Sequence, residues 1–533
     1  MLMERATEIA REFDLRTEDV GRITDKLARE LRAGLRRNGA TQIPSFVTTV
    51  PNGLEKGSYL VVDLGGTNCR ICLVHLQGHG KYTMEQRKHA IPRDIRVNAS
   101  CKPLFNFIAG LLREFLAGTS FAAAGDQSGL KLGFTFSFTY ISHSLSRGTV
   151  VQWDKGWDLP DALGRDPCLL LQEAIDDIDL GVRVTALTND SVGTLMARAY
   201  TSPWPSATLL GAIFGTGTNA AYVERKRNIC KLEGISQTPY ADEDGIMVVN
   251  TEWGAMCDCS DSVLPRCLYD DVLDIASSNP RSQLLEKQIS GLYLGELMRL
   301  AMMSLLDEKL FGMSVTDSSP IYHQYAIDTS FLSQVLANST QLAIGEISTT
   351  LQAQNVTDDD LRALQWVAIA ITKRSARLAG AAMAAIILQS ERLSRRVSDD
   401  SSTIKSAGAS CSSKEVAVPS PPKDRTYSNA YSRFKSFVHA IFSCWREPEL
   451  AQPVTPRKEA ASPLAEGPDE MHSIIDIGVD GSLYEYCPNF EHYLREALRE
   501  IPAIGERGES RIRLGLSKDG SGVGAALVTH GTA

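Results

Sequence analysis

Apolar positions along the chain follow two periods. Between residues 17 and 37, Val20, Ile23, Leu27, Leu31 and Leu35 recur three or four apart with charges between them. That spacing predicts an amphipathic helix. Pro44 and Pro51 mark the passage to the next unit. Ser58 to Leu76, SYLVVDLGGTNCRICLVHL, predicts two apolar strands joined by the tight turn Gly65-Gly66-Thr67-Asn68. Leu209 to Glu224, LLGAIFGTGTNAAYVE, repeats the plan of strand, Gly/Thr/Asn turn and strand. Two like hairpins, about 150 residues apart, predict two related halves. Helical patterns follow each hairpin, so the fold class is α/β.

The pattern stops from about Ser394 to Glu470. VSDDSSTIKSAGASCSSKEVAVPSPPKD is rich in Ser, Pro and Lys and poor in large apolar residues, which predicts a disordered, exposed insert. Ser420, Thr455 and Ser462, each before a proline, are candidate phosphorylation sites. Within the insert, Phe434, Phe437, Val438, Ile441, Phe442 and Trp445 fall on one helical face. Residues 434–446 therefore either meet a protein or membrane-surface partner or pack back on their own lobe. IIDIGVDGSLYEY then resumes the globular pattern.

Composition narrows the function. Of 533 residues, 43% are hydrophobic and 22% charged, the range of a soluble globular protein of two or three domains. A net charge of −9 lacks the basic footprint that nucleic-acid binding needs. The first residues, MLMERATEIAREFDL, carry acids and no apolar run, unlike a signal peptide, and no stretch is long and apolar enough to span a bilayer. The expected compartment is the cytoplasm. Eleven scattered cysteines suit a reducing environment. Cys257, Cys259 and Cys267 cluster, but no further Cys or His completes a zinc site, so they read as buried thiols.

The candidate chemistry sits in the turns. In DLGGTNCR, a glycine turn presents backbone N–H groups to phosphate oxygens; Thr67 adds a hydroxyl, Arg70 a cation, and Asp63 an oxygen able to hold Mg2+ through water. The bland reading is an ordinary hairpin. FGTGTN has the same chemistry. SKDGSGVGAALVTH leads glycines into a small-residue helix, either a nucleotide-facing helix start or a plain capped chain end. No GxxxxGK[ST] occurs, which excludes a P-loop enzyme. Asp190, in TNDSVGTLMARA, either caps a helix or is a carboxylate at a strand end able to take a proton from a hydroxyl. Asn189 beside it suits a neutral polar ligand. Glu252 and Glu286 are surface acids or partners for sugar hydroxyls, which both donate and accept. In VVQWDKGWDLP, Lys155 is the one cation; the two tryptophans and Gly156 suggest a ligand-facing loop, and Asp154 offsets the lysine's field.

Together these stretches resemble the hexokinase family of eukaryotic hexokinases and glucokinases. The likeness rests on VVDLGGTNCRICLV, LGFTFSF, WDKGWD, LTNDSVGTL, IFGTGTNAAYVE, VVNTEWGAM, EKQISGLYLGELMRL, GVDGSLYEYCPNF and SKDGSGVGAALV, in the family's order. The resemblance implies an actin-like ATPase (ribonuclease H-like) fold, two lobes with a cleft between a small and a large domain. It divides the chain into an N-terminal helix (1–40), a small domain (41–200) and a large domain (201–533) carrying the insert (394–470). It implies transfer of the γ-phosphoryl of ATP, with Mg2+, to the 6-hydroxyl of a hexose, the first step of glycolysis. By position, Asp190 matches the general base and Lys155 the lysine reaching toward sugar and phosphate. Ser137, Asn189, Asn219, Glu252 and Glu286 match the sugar contacts. Asp63, Gly65, Gly66, Thr67, Asn68 and Arg70 match the first phosphate loop, and Gly215, Thr216 and Gly217 the second. Ser521 falls in the adenosine-side loop. No protein-held metal site is implied.

Two departures stand out. The family reads Ser-Phe-Pro where this chain has Ser137-Phe138-Thr139, which frees a backbone angle and is expected to loosen the loop holding Ser137. The family reads Trp-Thr-Lys-Gly-Phe where this chain has Trp153-Asp154-Lys155-Gly156-Trp157. A carboxylate replaces the sugar-contacting threonine at 154. At ~5 Å from a phosphate charge and an effective dielectric of ~20, it costs roughly 3 kcal/mol, about two orders of magnitude in rate. The expectation is an ATP-dependent hexokinase slowed by Asp154; the alternative is a sugar-binding regulator with weak or no turnover.

Overall fold

The computed structural model describes residues 1–119, 130–153, 156–232, 245–258, 263–393 and 474–532. Asp154, Lys155, Cys259 and the segment 394–473, with the expected disordered insert and its 434–446 face, lie outside the described residues.

Both predicted hairpins form, and each starts a five-stranded unit. The first sheet contains β2 (Lys56–Leu64), β3 (Asn68–Gly78), β4 (Lys81–Ala90), β5 (Leu130–Phe136) and β8 (Val182–Thr188), in the order β4-β3-β2-β5-β8. The short pair β6 (Tyr140–Ser144) and β7 (Arg147–Val150) stands apart. The second sheet contains β1 (Ile43–Pro44), β9 (Thr208–Phe214), β10 (Thr218–Arg225), β11 (Ile246–Asn250), β14 (Ile475–Asp480) and β15 (Ile512–Leu516). Its order is β1-β11-β10-β9-β14-β15. A minor pair, β12 (Ser314–Val315) with β13 (Ala353–Gln354), lies elsewhere. In each sheet, three antiparallel strands in sequence are extended by two parallel strands beside the first. Apart from β1, the two sheets share one strand plan, which is the duplication the repeated hairpins predict.

Three cores hold this arrangement. One lies under the first sheet (Leu60, Val62, Phe134, Phe136) and one under the second (Leu210, Phe214, Ile477). The third joins faces of both sheets, Val61 and Val74 with Ala221 and Val248, through the helices Asp190–Thr201 and Gly520–His530. The helix expected over 17–37 forms over Thr17–Gly34, and Val20, Ile23, Leu27, Leu31 and Leu35 are all buried. A second helix, Leu2–Glu12, precedes it, and both pack in the core of the second sheet. The hairpins expected over Ser58–Leu76 and Leu209–Glu224 extend slightly further, over Lys56–Gly78 and Thr208–Arg225, and only the assembled sheets show that β5, β8, β14 and β15 enter in parallel, because parallel pairing needs a crossover that local pattern does not encode.

Candidate functional site

The cleft contains two adjoining cavities. One, of about 260 Å³, is lined by Ser137, Asn189, Asp190, Asn219, Glu252 and Glu286 together with the two glycine turns, Thr139 and Gln283. The other, of about 470 Å³, is lined by Asp63, Gly65, Gly66, Thr67, Asn68, Arg70, Asp480, Gly481 and Ser521, with Gln86 and Lys88. Ser137 and Asp190 border both. The carboxylate at 190 thus stands where a ligand in the smaller cavity meets one in the larger.

Asp190 opens the helix Asp190–Thr201 at the end of β8. The N-cap is Asn189, whose Oδ1 accepts from the Ser191 N–H at 2.9 Å and the Ser191 hydroxyl at 2.7 Å. Asp190 Oδ1 also accepts from the Ser191 N–H, at 2.9 Å. The N-cap position is thus held by the neighbouring asparagine and not by Asp190.

The polar wall of the smaller cavity is a closed network. Asn219 Nδ2 donates to Asn250 Oδ1 (2.9 Å), Glu252 Oε1 (3.2 Å) and Asn189 Oδ1 (3.3 Å). Asn250 Nδ2 donates to Glu252 Oε1 at 2.8 Å. Glu252 has a left-handed backbone, φ 49°, held by its N–H donating to Asn219 Oδ1 at 3.1 Å. A non-glycine residue keeps such a conformation only where its surroundings over-determine it. Glu286 Oε2 accepts from the Thr218 N–H at 3.0 Å, so this acid touches the second glycine turn directly. The Asp258 carboxylate caps the start of the helix Leu284–Ile289 that carries Glu286, accepting from the N–H groups of Gln283 and Leu284, each at 2.8 Å.

The glycine turns are anchored through their carbonyls. Gly66 O accepts from the Trp157 indole at 2.6 Å and Thr67 O from the Ile91 N–H at 3.1 Å. Gly215 O accepts from the Gly291 N–H at 2.7 Å and Thr216 O from the Leu292 N–H at 3.1 Å. In a trans peptide the C=O and the following N–H point in opposite directions. Drawing these carbonyls into the scaffold turns N–H groups toward the cleft. Of the N–H groups opposite these carbonyls, those of Thr67, Thr216 and Gly217 make no hydrogen bond to another described residue, whereas Gly65 N–H and Gly215 N–H close their own turns. Gly481 (φ +111°) fits against the second turn because it lacks a Cβ, which would lie 2.4 Å from the carbonyl carbon of Phe214.

Arg70 differs from a free phosphate cation. Its guanidinium donates to Asp63 Oδ2 (2.9 and 2.5 Å), to Asp519 Oδ1 (3.0 Å) and to Ser521 Oγ (2.7 Å). Burial alone would lower its pKa, but the Asp63 charge raises it further. Ser521 Oγ in turn donates to Asp63 Oδ2 at 2.8 Å, so Ser521 lies against the first turn. Asp480 is a carboxylate in the larger cavity whose burial pushes its pKa up to about 6, helped by the charges of Asp519 and Asp190. Among the described residues no three acidic, His or Cys side chains converge closely enough to hold a metal by themselves.

One expectation is corrected. The tryptophans do not wall a ligand site. Trp153 and Trp157 stack with centroids 5.5 Å apart, both pack on Phe138 at 4.8 Å, and neither borders the cavities. Large aromatic rings gain more from burial in the small-lobe core than from solvent. The loop holding Ser137 and Thr139 is tied to its neighbours at both ends. The Ser137 N–H donates to Leu64 O at 3.1 Å, Thr139 O accepts from the Val151 N–H at 3.0 Å, and Phe138 is 2% exposed. Of the cysteine cluster, Cys257 is buried and the Cys267 thiol is pushed up to about 12 by burial, as expected of inert thiols.

Sequence reasoning missed Asn250, Gln283, Gln86, Lys88 and Asp480, and it read Trp157 as a ligand wall, not as a donor to the first glycine turn. Asn250 and Asp480 stand within quoted motifs, two residues before Glu252 and just before Gly481, and were legible there. Lys88 was not: it reaches the cleft because β4 pairs with β3 in the register Arg70↔Lys88, which puts both side chains on one face.

Family models described as hexokinase match residues 5–200 and then 209–416 and 449–530. The two-lobed α/β fold and its divided cleft are thus those of the actin-like sugar kinases. The chain belongs to the hexokinase family. It is 40% identical to the glucokinase of Aspergillus niger over 99% of this chain and 96% of that one. It is 31% identical to hexokinase-2 of Schizosaccharomyces pombe over 98% and 95%. The structure of the Schistosoma mansoni hexokinase complexed with glucose superposes with a TM-score of 0.74 at 28% identity, covering 99% of both chains.

Proposed function

We propose that this protein transfers the γ-phosphoryl group of ATP to the 6-hydroxyl of a glucose-like hexose, as a phosphotransferase with an alcohol acceptor. The observation that carries the reading is Asp190 at the junction of a monosaccharide-sized polar cavity and a cavity floored by forward-facing amides. The hexose hydroxyls meet Ser137, Asn189, Asn219, Glu252 and Glu286, whose mixed donors and acceptors suit a neutral polyol. Asp190 takes the proton of the attacking hydroxyl, and the amides of both turns with Lys88 offset the phosphate charge. From its position in the sequence Lys155 adds a further cation. The carboxylate-rich floor fits a Mg2+ that arrives with ATP and keeps most of its water, with Asp63 and Asp480 as its outer partners. When bound, Mg2+ neutralises charge on the phosphates. The division into lobes at 41–200 and 201–533 leaves each phosphate turn on its own lobe, so closing the cleft would bring them together and exclude water.

A coupled assay with glucose, fructose and mannose, run beside sugar calorimetry, tests the reading. Asp190→Asn should lower turnover at least a hundredfold while leaving hexose affinity within about tenfold. The regulator reading is favoured by two features of the sequence, the carboxylate at 154 and the insert at 394–470. Hexose binding without turnover in the unsubstituted protein would support it.

A further inference from the structure

We infer that Trp157 is a positioning residue for the nucleotide phosphates, acting through the first glycine turn. Its indole Nε1–H donates to Gly66 O at 2.6 Å. That bond fixes the Gly66–Thr67 peptide. With the carbonyl held in the scaffold, the Thr67 N–H faces the cavity bordered by Asp63, Arg70 and Asp480. The indole itself is well anchored. It is 5% exposed, stacks on Trp153 and packs against Phe138 with ring centroids 4.8 Å apart. Phe138 lies between Ser137 and Thr139, which border the smaller cavity. One side chain therefore ties the loop beside the hexose cavity to the turn that faces the phosphates.

This donor–acceptor pair is part-buried, and removing the indole N–H takes from the Gly66 carbonyl the one donor among the described residues that fixes its direction. The peptide then rotates more freely, and the Thr67 amide no longer waits in place for a phosphate oxygen. The consequence falls on nucleotide affinity, not on the hexose contacts.

The inference rests on the phosphotransferase reading for its kinetic form, but its test does not require turnover. Trp157→Phe keeps an aromatic ring and removes the N–H. It should weaken Mg-ADP binding, read by calorimetry, by about three- to tenfold and raise the KM for ATP by the same factor, with hexose affinity within about twofold. Replacement of Trp157 by 3-benzothienylalanine, which keeps the bicyclic shape and exchanges N–H for sulfur, should reproduce the effect and stands in if the phenylalanine variant does not fold. Unchanged Mg-ADP affinity in the benzothienyl variant would overturn the inference. So would an equal loss of hexose and nucleotide affinity, since that marks general loosening of the aromatic cluster. If the unsubstituted protein turns over no hexose, the functional reading fails, and Mg-ADP affinity still decides the role of Trp157; if it binds no Mg-ADP either, both fail.

Discussion

At the scale of single residues the cleft concentrates acids where a phosphate chain is expected. Asp480 shows the cost. Its carboxyl is pushed up to about 6 by burial, from an ordinary 3.8. Between those values the folded protein keeps a proton that the unfolded chain has lost. Stability therefore falls as pH rises from about 4 to 6, and above that window the ionised group costs about 3 kcal/mol. Asp480→Asn should remove this slope: the difference in unfolding free energy between variant and parent, from denaturant titrations at several pH values, should grow from pH 4 to 6 and then level off. A difference that stays flat with pH counts against the assignment. Asp154 poses the complementary question at the lysine loop. Asp154→Thr restores the family's hydroxyl and removes roughly 3 kcal/mol of repulsion, so kcat should rise by ten- to a hundredfold, as measured in the coupled assay. An unchanged rate would mean that the carboxylate never faces the transferred group.

At the scale of elements, two helices border the cleft and touch backbone to backbone at one crossing point. Asp190–Thr201 presents Asp190, and Gly520–His530 presents Ser521 beside Asp63. They cross at Gly193 and Gly524; a Cβ on Gly524 would lie 2.1 Å from Gly193 O and 2.2 Å from its Cα. Backbone cannot yield as a side-chain tip does, so Gly524→Ala must separate the helices. The expected result is a loss of about 1–3 kcal/mol, seen as a lower urea midpoint at unchanged m-value, together with reduced turnover because both helix starts move relative to the cleft. The N-terminal helices have a structural task. Phe13 stacks on Tyr269 and lies under Arg374, whose guanidinium is bidentate to buried Asp270 at 2.7 Å.

At the scale of the whole molecule, the two halves repeat one strand plan and place like turns opposite each other. A ligand that contacts residues from both halves binds the folded protein alone. Ser137 and Asn189 come from one half, and Asn219, Glu252 and Glu286 from the other. Glucose at a hundred times its Kd should therefore stabilise the protein by about 2.7 kcal/mol, visible as a rise in melting temperature that a non-binding hexitol does not produce. Absence of that rise at saturating glucose would argue that the smaller cavity is not the hexose site. Among the described residues no helix is long and apolar enough to cross a membrane.

Local sequence determined the hairpins, the helix over Thr17–Gly34, the glycine turns and the candidate acids, because strand alternation, helical spacing and turn chemistry act over a few neighbouring residues. The same short range explains what stayed hidden. Asp63 meets Ser521 across 458 positions, Lys88 faces the cleft only through pairing with Arg70, and Trp157 reaches Gly66 across 91. The expectation that tryptophans wall a ligand site failed for this reason: aromatic residues beside a lysine suit a binding loop or a core equally, and only packing decides between them. The turns were legible from their glycines, but the direction of the Thr67, Thr216 and Gly217 amides was set by three distant donors, Trp157, Gly291 and Leu292, that draw the preceding carbonyls back, and that choice belongs to the tertiary structure.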